Sequence, residues 1–333
     1  FSQYDIIYHV AGIAHADVGN VSDETKEKYY QVNTDLTIEV VQKAKEENVK
    51  EIIFMSSMIV YGESAPYGKK KIIDENTIPT PANFYGDSKL QADVAIRELA
   101  DDNFKVIVLR PPMIYGKGSK GNYPVLAKLA KKLPVFPDVD NERSMLYIEN
   151  LCEFLCQVML VRKIRQNAIV LIPQNAEWTN TSAMVKQIAN ISGKKIAGLK
   201  VMRPAVAIGG KMPGKIGGLI NKAFGNNCYA HELSKYQGID YQKSTLEESV
   251  KLTEANIVNQ KKCVLMLASV ASMIDQFNMS NIDILLNMGY RVDVACNFGF
   301  GSTCSDEKIT ELKRKLKEKG VECYQVDFTR NVM

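Results

Sequence analysis

Four short runs of apolar residues punctuate the first half of the chain. They lie at 4–11, 51–57, 105–110 and 168–173, and each is rich in Ile, Val and other apolar residues. Strands that are buried on both faces have such continuous apolar runs rather than an alternation of apolar and polar residues. The four runs therefore predict strands of a parallel sheet.

Helix-length segments separate the first three runs. Residues 23–47 follow Ser22, which is a plausible N-cap, and a second helix is predicted over 84–100. In the first segment apolar positions recur every four residues and would line one buried face: Val32, Leu36, Val40 and Ala44. Alternation of strands and helices predicts an α/β fold with a doubly wound parallel sheet, whose chemistry gathers at the carboxyl ends of the strands.

The pattern changes near residue 255. Residues 256–261 are polar and aperiodic, and we interpret them as a linker between a first domain, 1–255, and a second one, 262–333. In the second domain strands are predicted at 262–270, 290–298 and 321–328, and helices at 275–289 and 305–320. Gly289 and Gly320 fall where a helix C-cap glycine belongs. Because two or three strands are too few to close a core, we expect the sequence to be a piece of a longer protein.

Composition narrows the class of protein. Of the 333 residues 46% are hydrophobic and 24% charged, which is ordinary for a globular protein. The net charge of +4 is too small to indicate nucleic acid as a partner, and no apolar run reaches the roughly 18 residues of a membrane helix. Residues 203–224 are apolar and basic; we interpret them as a loop and short helix over the core, with contact to a membrane surface as the alternative.

The cysteines favour a reducing compartment. There are seven, with no CxxC pair, and no signal peptide is visible in the given sequence, which opens on Phe1 and not on Met. A cytoplasmic location is therefore expected. Cys152 and Cys156 lie one turn apart in an apolar helical stretch and are predicted to pack as small hydrophobes.

Tyr85 and Lys89 stand four residues apart on one face of the helix predicted over 84–100. A tyrosine hydroxyl, with a pKa of about 10, is a poor base at neutral pH, but a nearby ammonium group lowers that pKa. Ser57 ends the preceding strand and is placed to hold a substrate hydroxyl. These three groups suffice to remove a proton from an alcohol while hydride leaves its carbon. An exposed Tyr and Lys pair without function is the alternative.

Four segments in this order carry a resemblance to a known family. They are FMSSMIVYG (54–62), FYGDSKLQAD (84–93), VLRPPMIYG (108–116) and ERSMLYIENL (142–151). Together they resemble the extended short-chain dehydrogenase/reductase family, in its nucleotide-sugar epimerase/dehydratase branch, from Tyr4 to about residue 255. The resemblance implies an incomplete Rossmann fold with a small substrate-binding subdomain. It also implies NAD as cofactor, with NADP not excluded, and a nucleotide-diphosphate sugar as substrate.

The resemblance implies roles for individual residues. Ser57 would orient the sugar, Tyr85 would be the acid/base, and Lys89 would bind the nicotinamide ribose. Further cofactor contacts would come from Ala11, Gly12, Asn33 and Pro112. Gly86 and Asp87, both weak helix formers, would be tolerated because the start of this helix passes close under the cofactor.

Arg143 would grip the substrate's diphosphate, since its planar fork suits that group, and Asn122 would also reach it. A surface ion pair with Glu142 or Glu149 is the alternative for Arg143. His9 and His15 are expected to pack or to border the cofactor, and no metal site is predicted.

Two departures from the family pattern matter. The family's first strand and Gly-rich turn are absent, so about 60 residues are expected to be missing before Phe1. Without them we expect weak dinucleotide binding, and the residue that separates NAD from NADP cannot be read.

Dehydratases of the family carry an Asp-Glu pair where this chain has Met58 and Ile59. Neither side chain transfers a proton, which disfavours dehydration.

Epimerisation is therefore the favoured activity, with Tyr85 taking the proton from the sugar 4-hydroxyl. An NADPH-dependent nucleotide-sugar reductase and a non-catalytic nucleotide-sugar binding module remain alternatives, and a homodimer is the expected assembly. Residues 262–333 resemble the start of the acceptor-side domain of a family 4, GT-B type glycosyltransferase. A fusion of this kind would belong to polysaccharide biosynthesis; an α/β extension that caps the first domain is the alternative.

Overall fold

The computed structural model describes residues 1–14, 21–160, 166–255, 263–299 and 303–326. It divides into two compact units, Phe1–Glu254 and Ala255–Met333. The predicted linker, 256–261, lies outside the described residues, as does His15.

The elements of the first unit are short. Its strands are β1 (Ile6–His9), β2 (Glu51–Met55), β3 (Ile72–Ile73), β4 (Lys105–Leu109), β5 (Met113–Tyr115), β6 (Val135–Pro137), β7 (Met145–Tyr147), β8 (Ala168–Leu171), β9 (Ala197–Leu199) and β10 (Cys228–Tyr229). Its helices are α1 (Asp23–Tyr30), α2 (Leu36–Glu46), α3 (Phe84–Arg97), α4 (Asn122–Lys132), α5 (Ile148–Leu160), α6 (Thr181–Ile191), α7 (Arg203–Gly209), α8 (Lys215–Phe224) and α9 (Leu246–Glu254).

The predicted parallel sheet is confirmed. Among the described residues β1, β2, β4 and β8 pair in that order, and every pairing is parallel. On one face Ile52 and Val106 pack with Ala44 of α2 and Ile96 of α3. On the other face the strand residues pack against α5 through Leu151, Phe154, Leu155 and Val158. Helices thus cover both faces, as a doubly wound sheet requires.

The predicted helix over 23–47 is interrupted by one wider turn. Ser22 caps α1 by accepting a hydrogen bond from the Thr25 amide at 3.2 Å, and residues 31–35 form a π-helical turn between α1 and α2. The extra residue in this turn shifts the buried face, so the predicted stripe is wrong at Leu36, which is 38% exposed. Thr37, Val41 and Ala44 form the buried face instead.

The prediction that Cys152 and Cys156 pack in the core is also wrong. Both are exposed on α5. The buried residues of α5 follow the spacing i, i+3, i+4, i+7 from Leu151 to Val158, and this spacing turns the two cysteines toward the opposite side.

The remainder of the first unit builds a small subdomain beyond the sheet. Three two-stranded parallel pairs, β5 with β7, β6 with β9 and β3 with β10, form its strands. Its core lies between α4, α6 and α9 and includes Tyr115, Tyr147 and Ile188. The apolar, basic stretch 203–224 forms α7 and α8, in line with the predicted short helix.

The second unit confirms the predicted strands, but the single helix predicted over 275–289 is wrong, because two helices that meet at Asn278 take its place. Its strands are β11 (Cys263–Val270), β12 (Arg291–Asn297) and β13 (Glu322–Gln325), and its helices are α10 (Ala271–Phe277), α11 (Met279–Asn287) and α12 (Asp306–Glu318). The strands pair in chain order and in parallel. Gly289 and Gly320 have φ of 85° and 74°, the left-handed conformation of a C-cap glycine.

In the part of the chain that the structure describes, no helix has both the length and the apolar character that crossing a membrane requires.

Candidate active site

Ser57 lies just beyond the carboxyl end of β2. Backbone hydrogen bonds hold this end of the strand: the Ser56 amide donates to the Leu109 carbonyl at 2.8 Å and the Met58 amide to the Pro111 carbonyl at 2.9 Å. A 3₁₀ turn over residues 58–61 follows, and the Ser57 hydroxyl caps it by accepting from the Ile59 amide at 3.3 Å. Strand pairing and the cap together fix the serine at the edge of the sheet where ligands bind in α/β folds.

Contacts within the protein explain why the first turn of α3 contains two weak helix formers, Gly86 and Asp87. Asn83 caps the helix by accepting from the Gly86 amide at 3.0 Å. A Cβ at Gly86 would come to 2.9 Å from the Ile59 carbonyl oxygen, so only glycine lets α3 lie this close to the turn after Ser57. Asp87 accepts a 2.8 Å hydrogen bond from the Tyr30 hydroxyl, which ties α3 to α1.

Tyr85 lies next to Ser57 where α3 packs against the turn over residues 58–61. Ser57 acts on the Tyr85 phenol as a hydrogen-bonding neighbour. The ring of Tyr85 packs edge-on against Tyr29, with 5.9 Å between centroids. Burial raises the pKa of Tyr85 above its usual value of 10.0, and the hydrogen bond from Ser57 opposes that shift. The expectation that Lys89 lowers this pKa is therefore wrong for the chain by itself, because desolvation of the phenol dominates.

Lys89, one turn along α3, is 5% exposed. Its ammonium donates to the Met55 carbonyl at 3.2 Å and lies 4.9 Å from the centroid of the Phe54 ring. Burial lowers the pKa of Lys89 from 10.5 to about 8. Within the described residues the Met55 carbonyl is its one hydrogen-bond acceptor, so two of its three N–H groups remain for a ligand.

Asn33 and Gly12 join the end of β1 to the same site. The fully buried Asn33 side chain accepts from the Ile13 amide at 2.8 Å and donates to the Ile13 carbonyl and to the Ser88 hydroxyl, each at 3.1 Å. A Cβ at Gly12 would lie 2.8 Å from Lys89 Nζ and 2.9 Å from Asn33 Oδ1. Asn33 thus braces the segment after β1 against α3, and glycine at position 12 leaves room for the ends of the Lys89 and Asn33 side chains.

The other predicted cofactor residues border this segment. Ala11 is exposed beside Gly12, and Pro112 is buried after β4, the strand next to β2. His9 packs as expected: its Nε2 lies 3.1 Å from the Thr37 hydroxyl and its ring stacks on Phe54. These residues fit a dinucleotide, since a glycine backbone beside unused lysine donors offers close approach and hydrogen bonds to an extended polar ligand.

Arg143 does not form the ion pair with Glu142 or Glu149 that was the alternative reading. Its guanidinium donates to the carbonyls of Lys222 at 2.8 Å and Gly225 at 3.4 Å, at the carboxyl end of α8. Burial lowers the pKa of this guanidinium. Asn122 is exposed in the first turn of α4, and no hydrogen bond within the described residues joins it to Arg143 or Ser57.

Asn227 is a residue that the sequence does not single out. Its side-chain amide donates to the sulfur of Met58 at 3.1 Å, while its Oδ1 is buried without a partner in the described residues. Its carbonyl accepts from the Ser144 amide at 3.1 Å, beside Arg143. A buried amide oxygen without a partner indicates a position that a ligand or water satisfies. The segment NNCY that contains it shows no pattern from which this position follows.

The geometry accords with a comparison against protein families. A model of the NAD dependent epimerase/dehydratase family matches residues 1–172, just over half of the 333 residues. The chain belongs to this family. Membership accounts for the parallel sheet.

Two curated relatives of this family member are sugar 4-epimerases. The chain is similar to UDP-glucose 4-epimerase of Vibrio cholerae, 30% identical over 214 residues that make up 63% of this chain and 64% of the relative. It is also similar to N-acetyl-alpha-D-glucosaminyl-diphospho-ditrans,octacis-undecaprenol 4-epimerase of Escherichia coli O157:H7, 30% identical over 187 residues, 55% of this chain and 54% of that protein. The chain thus spans less than two thirds of the length of either relative.

A solved structure shows the same fold. UDP-glucuronic acid 4-epimerase from Bacillus cereus, in complex with NAD, superposes with a TM-score of 0.56 at 18% identity. The match covers 75% of this chain and 71% of that one. At this identity the likeness establishes the α/β architecture.

Proposed function

We propose that the protein is an NAD-dependent 4-epimerase of a sugar diphosphate, of the UDP-glucose or UDP-N-acetylglucosamine type, acting in polysaccharide biosynthesis in the cytoplasm. The observation that carries the proposal is the placement of Ser57 next to Tyr85, with Lys89 one turn away, at the carboxyl edge of the sheet. The names of the two curated relatives support the same reaction.

The residues that would hold the cofactor are those around Gly12. Ala11 and Gly12 would lie along it, Lys89 would donate its two unused N–H groups to ribose hydroxyls, and Pro112 would flank the nicotinamide. Bound NAD would supply the group that accepts hydride from the sugar and returns it. Asn33 contributes indirectly, because it fixes the backbone of residue 13.

Proton transfer falls to Tyr85. Ser57 would align the sugar 4-hydroxyl, and Tyr85 would take its proton and return it to the other epimer. Because burial raises the pKa of Tyr85, the protonated phenol predominates at neutral pH in the chain alone. Positive charge near the phenol favours the basic form, and a bound nicotinamide cofactor would supply such a charge.

The substrate side would consist of Arg143, Asn122 and Asn227. Arg143 would bind the diphosphate, and Asn227 would offer its free Oδ1 to a sugar hydroxyl. Met58 and Ile59 carry no proton donor or acceptor in their side chains, which argues against water elimination. A diphospholipid-linked sugar is a second candidate substrate, because α8, whose end Arg143 contacts, exposes an apolar and basic surface.

Incubation of the purified protein with UDP-glucose, UDP-N-acetylglucosamine or a prenyl-diphosphate-linked N-acetylglucosamine tests the proposal, with the anomeric proton signals followed by NMR. Formation of the 4-epimer without net consumption of reduced cofactor supports it. Consumption of NADPH with a keto-sugar would identify a reductase, and calorimetric binding without turnover would identify a binding module. Either of these results would overturn the epimerase.

For the second unit we propose the start of a glycosyltransferase acceptor-side domain. Three parallel strands in chain order, joined by helices, support an α/β domain of this kind. Transfer of sugar from the epimerised product to an acceptor by the full-length protein is the test; absence of transfer with any sugar nucleotide would favour an α/β extension. A homodimer is also proposed, and light scattering measures it.

A further inference from the structure

The hairpin of residues 200–224, made of a short 3₁₀ turn, α7 and α8, carries large apolar side chains on its outer surface. On α7 and the turn before it Val201 and Ile208 are 80% and 67% exposed, at a spacing of two helical turns. On α8 Ile216 and Leu219 are 56% and 69% exposed. Residues at i, i+3 and i+7 share one helix face, so each helix presents an apolar stripe away from the core.

The hairpin is held rigidly in this orientation. Its inner side is close-packed: a Cβ at Gly209 would lie 2.5 Å from Ile220, and Asn221 donates to the Gly210 carbonyl at 2.8 Å. Phe224 packs on Phe136 of the subdomain core, with ring centroids 5.7 Å apart. The exposed apolar side chains therefore do not result from a loose segment that lacks a place to pack.

The charged residues in this part of the sequence all have the same sign. From Trp178 to His231 the sequence contains no Asp or Glu, and its cationic residues number eight: Lys186, Lys194, Lys195, Lys200, Arg203, Lys211, Lys215 and Lys222. Arg203 pairs with Asp140 and Lys186 with Asp138, both outside the hairpin. Lys200, Lys211 and Lys222 form no ion pair within the residues that the structure describes.

We infer that the hairpin is a membrane-docking surface that lies on a bilayer rich in anionic lipid. An amphipathic helix with apolar residues on one side and lysines around them inserts at the boundary of headgroups and acyl chains. Each lysine near an anionic surface adds to the attraction. Protein interfaces are depleted in lysine at their apolar centres, which disfavours a protein partner or a second copy.

Docking would bring the candidate site to the membrane. Arg143 holds the carboxyl end of α8 through the Lys222 and Gly225 carbonyls. The hairpin and the arginine proposed to grip a diphosphate therefore share a contact. A docked protein would receive a diphosphate whose other end is anchored in lipid.

Co-sedimentation with vesicles tests the inference without any sugar substrate, so its failure is separate from failure of the epimerase proposal. The protein should pellet with vesicles of phosphatidylcholine and phosphatidylglycerol in equal parts and much less with pure phosphatidylcholine. Raising the salt should release it, because attraction between exposed charges is screened. The double variant Ile208→Ser/Leu219→Ser should bind about tenfold more weakly or worse, as expected when two large apolar side chains no longer insert.

A second variant removes the charge instead of the apolar surface. Lys211→Glu/Lys222→Glu should also bind at least about tenfold more weakly, with a smaller dependence on salt. The matched controls are Ile78→Ser, an isoleucine that is 78% exposed elsewhere in the first unit, and Lys28→Glu on α1; both should bind like the unmodified protein.

Three results would overturn the inference. They are failure of the unmodified protein to bind anionic vesicles, unchanged binding of both hairpin variants, and a change of oligomeric state in these variants by light scattering. The last result would identify the hairpin as a contact between copies.

Discussion

Asp93 on α3 and Arg110 at the end of β4 form a buried two-point ion pair. Arg110 Nε lies 2.8 Å from one carboxylate oxygen of Asp93, and Nη2 lies 2.9 Å from the other. The same guanidinium donates to the Tyr61 hydroxyl at 2.7 Å, in the turn that follows Ser57. Asp93 lies two turns beyond Tyr85, so the pair fixes the helix that carries the tyrosine against the segment that carries the serine.

Substitution Asp93→Asn should lower the free energy of unfolding by about 3–5 kcal/mol, because it leaves the Arg110 charge buried without a counter-ion. Urea denaturation followed by circular dichroism measures the loss. The matched control is Asp240→Asn, which breaks an exposed pair with Lys243 and should cost less than about 1 kcal/mol. Equal losses in the two variants would contradict the anchoring role of the buried pair.

Gly86→Ala should reduce both stability and turnover. Alanine improves helix propensity by about 1 kcal/mol, but its Cβ would lie 2.9 Å from the Ile59 backbone oxygen and would push α3 away from Ser57. Gly218→Ala on α8 is the control, since its Cβ would meet nothing within 4 Å, and it should stabilise the protein. Thermal melts of both variants test this prediction. An equal gain in melting temperature would contradict it, because it would show that the structure around Gly86 accommodates the Cβ without cost.

Lys89→Met should abolish cofactor binding and yet stabilise the protein at pH 7. Burial lowers the pKa of Lys89 from 10.5 to about 8. Below pH 8 the charged, buried lysine therefore destabilises the folded state. As the pH rises, Lys89 loses its proton at a lower pH in the folded state than in the unfolded chain. The destabilisation by the buried charge therefore decreases between pH 8 and 10.5. The advantage of the variant in thermal melts should therefore shrink as pH rises through this window; an advantage independent of pH would contradict the assignment.

Arg143→Gln should weaken binding of UDP by about tenfold or more and leave binding of uridine unchanged, because hydrogen bonds from a charged donor are worth about 1.5–3 kcal/mol. Calorimetry with the two ligands separates a lost diphosphate contact from a general loss of structure. The variant also loses two hydrogen bonds to the end of α8, so a modest fall in melting temperature accompanies the effect. Equal weakening of UDP binding and uridine binding would contradict this role and show that Arg143 only caps the end of α8.

Apolar patterning predicted the strands of the four-stranded sheet well because burial on both faces of a parallel sheet demands it. All four runs of the first unit and all three of the second form strands within a few residues of the predicted bounds. Which residues of a helix form its buried face was less predictable. The π turn at 31–35 changes the phase of the buried face, and its presence depends on tertiary contacts such as that of Asn33 with Ser88.

The site was predictable as a set of neighbours but not in its energetics. Sequence spacing placed Tyr85 and Lys89 on one face and Ser57 at a strand end, and the structure brings the two hydroxyls together. Their catalytic roles stay predictions. Burial, which sets the pKa of Tyr85 and of Lys89, depends on every element packed around them. The buried Asn227 and the Gly86 contact likewise arise from chain segments distant in sequence.

The proton transfer assigned to Tyr85 is the central claim, and the turnover of Tyr85→Phe tests it most directly. The phenylalanine ring keeps the packing against Tyr29 and removes only the hydroxyl. Turnover of the sugar diphosphate should fall by about 10²–10⁴-fold, the range of general acid–base catalysis, while affinity for UDP and the melting temperature change little. A variant that epimerises at the rate of the unmodified protein would contradict the claim.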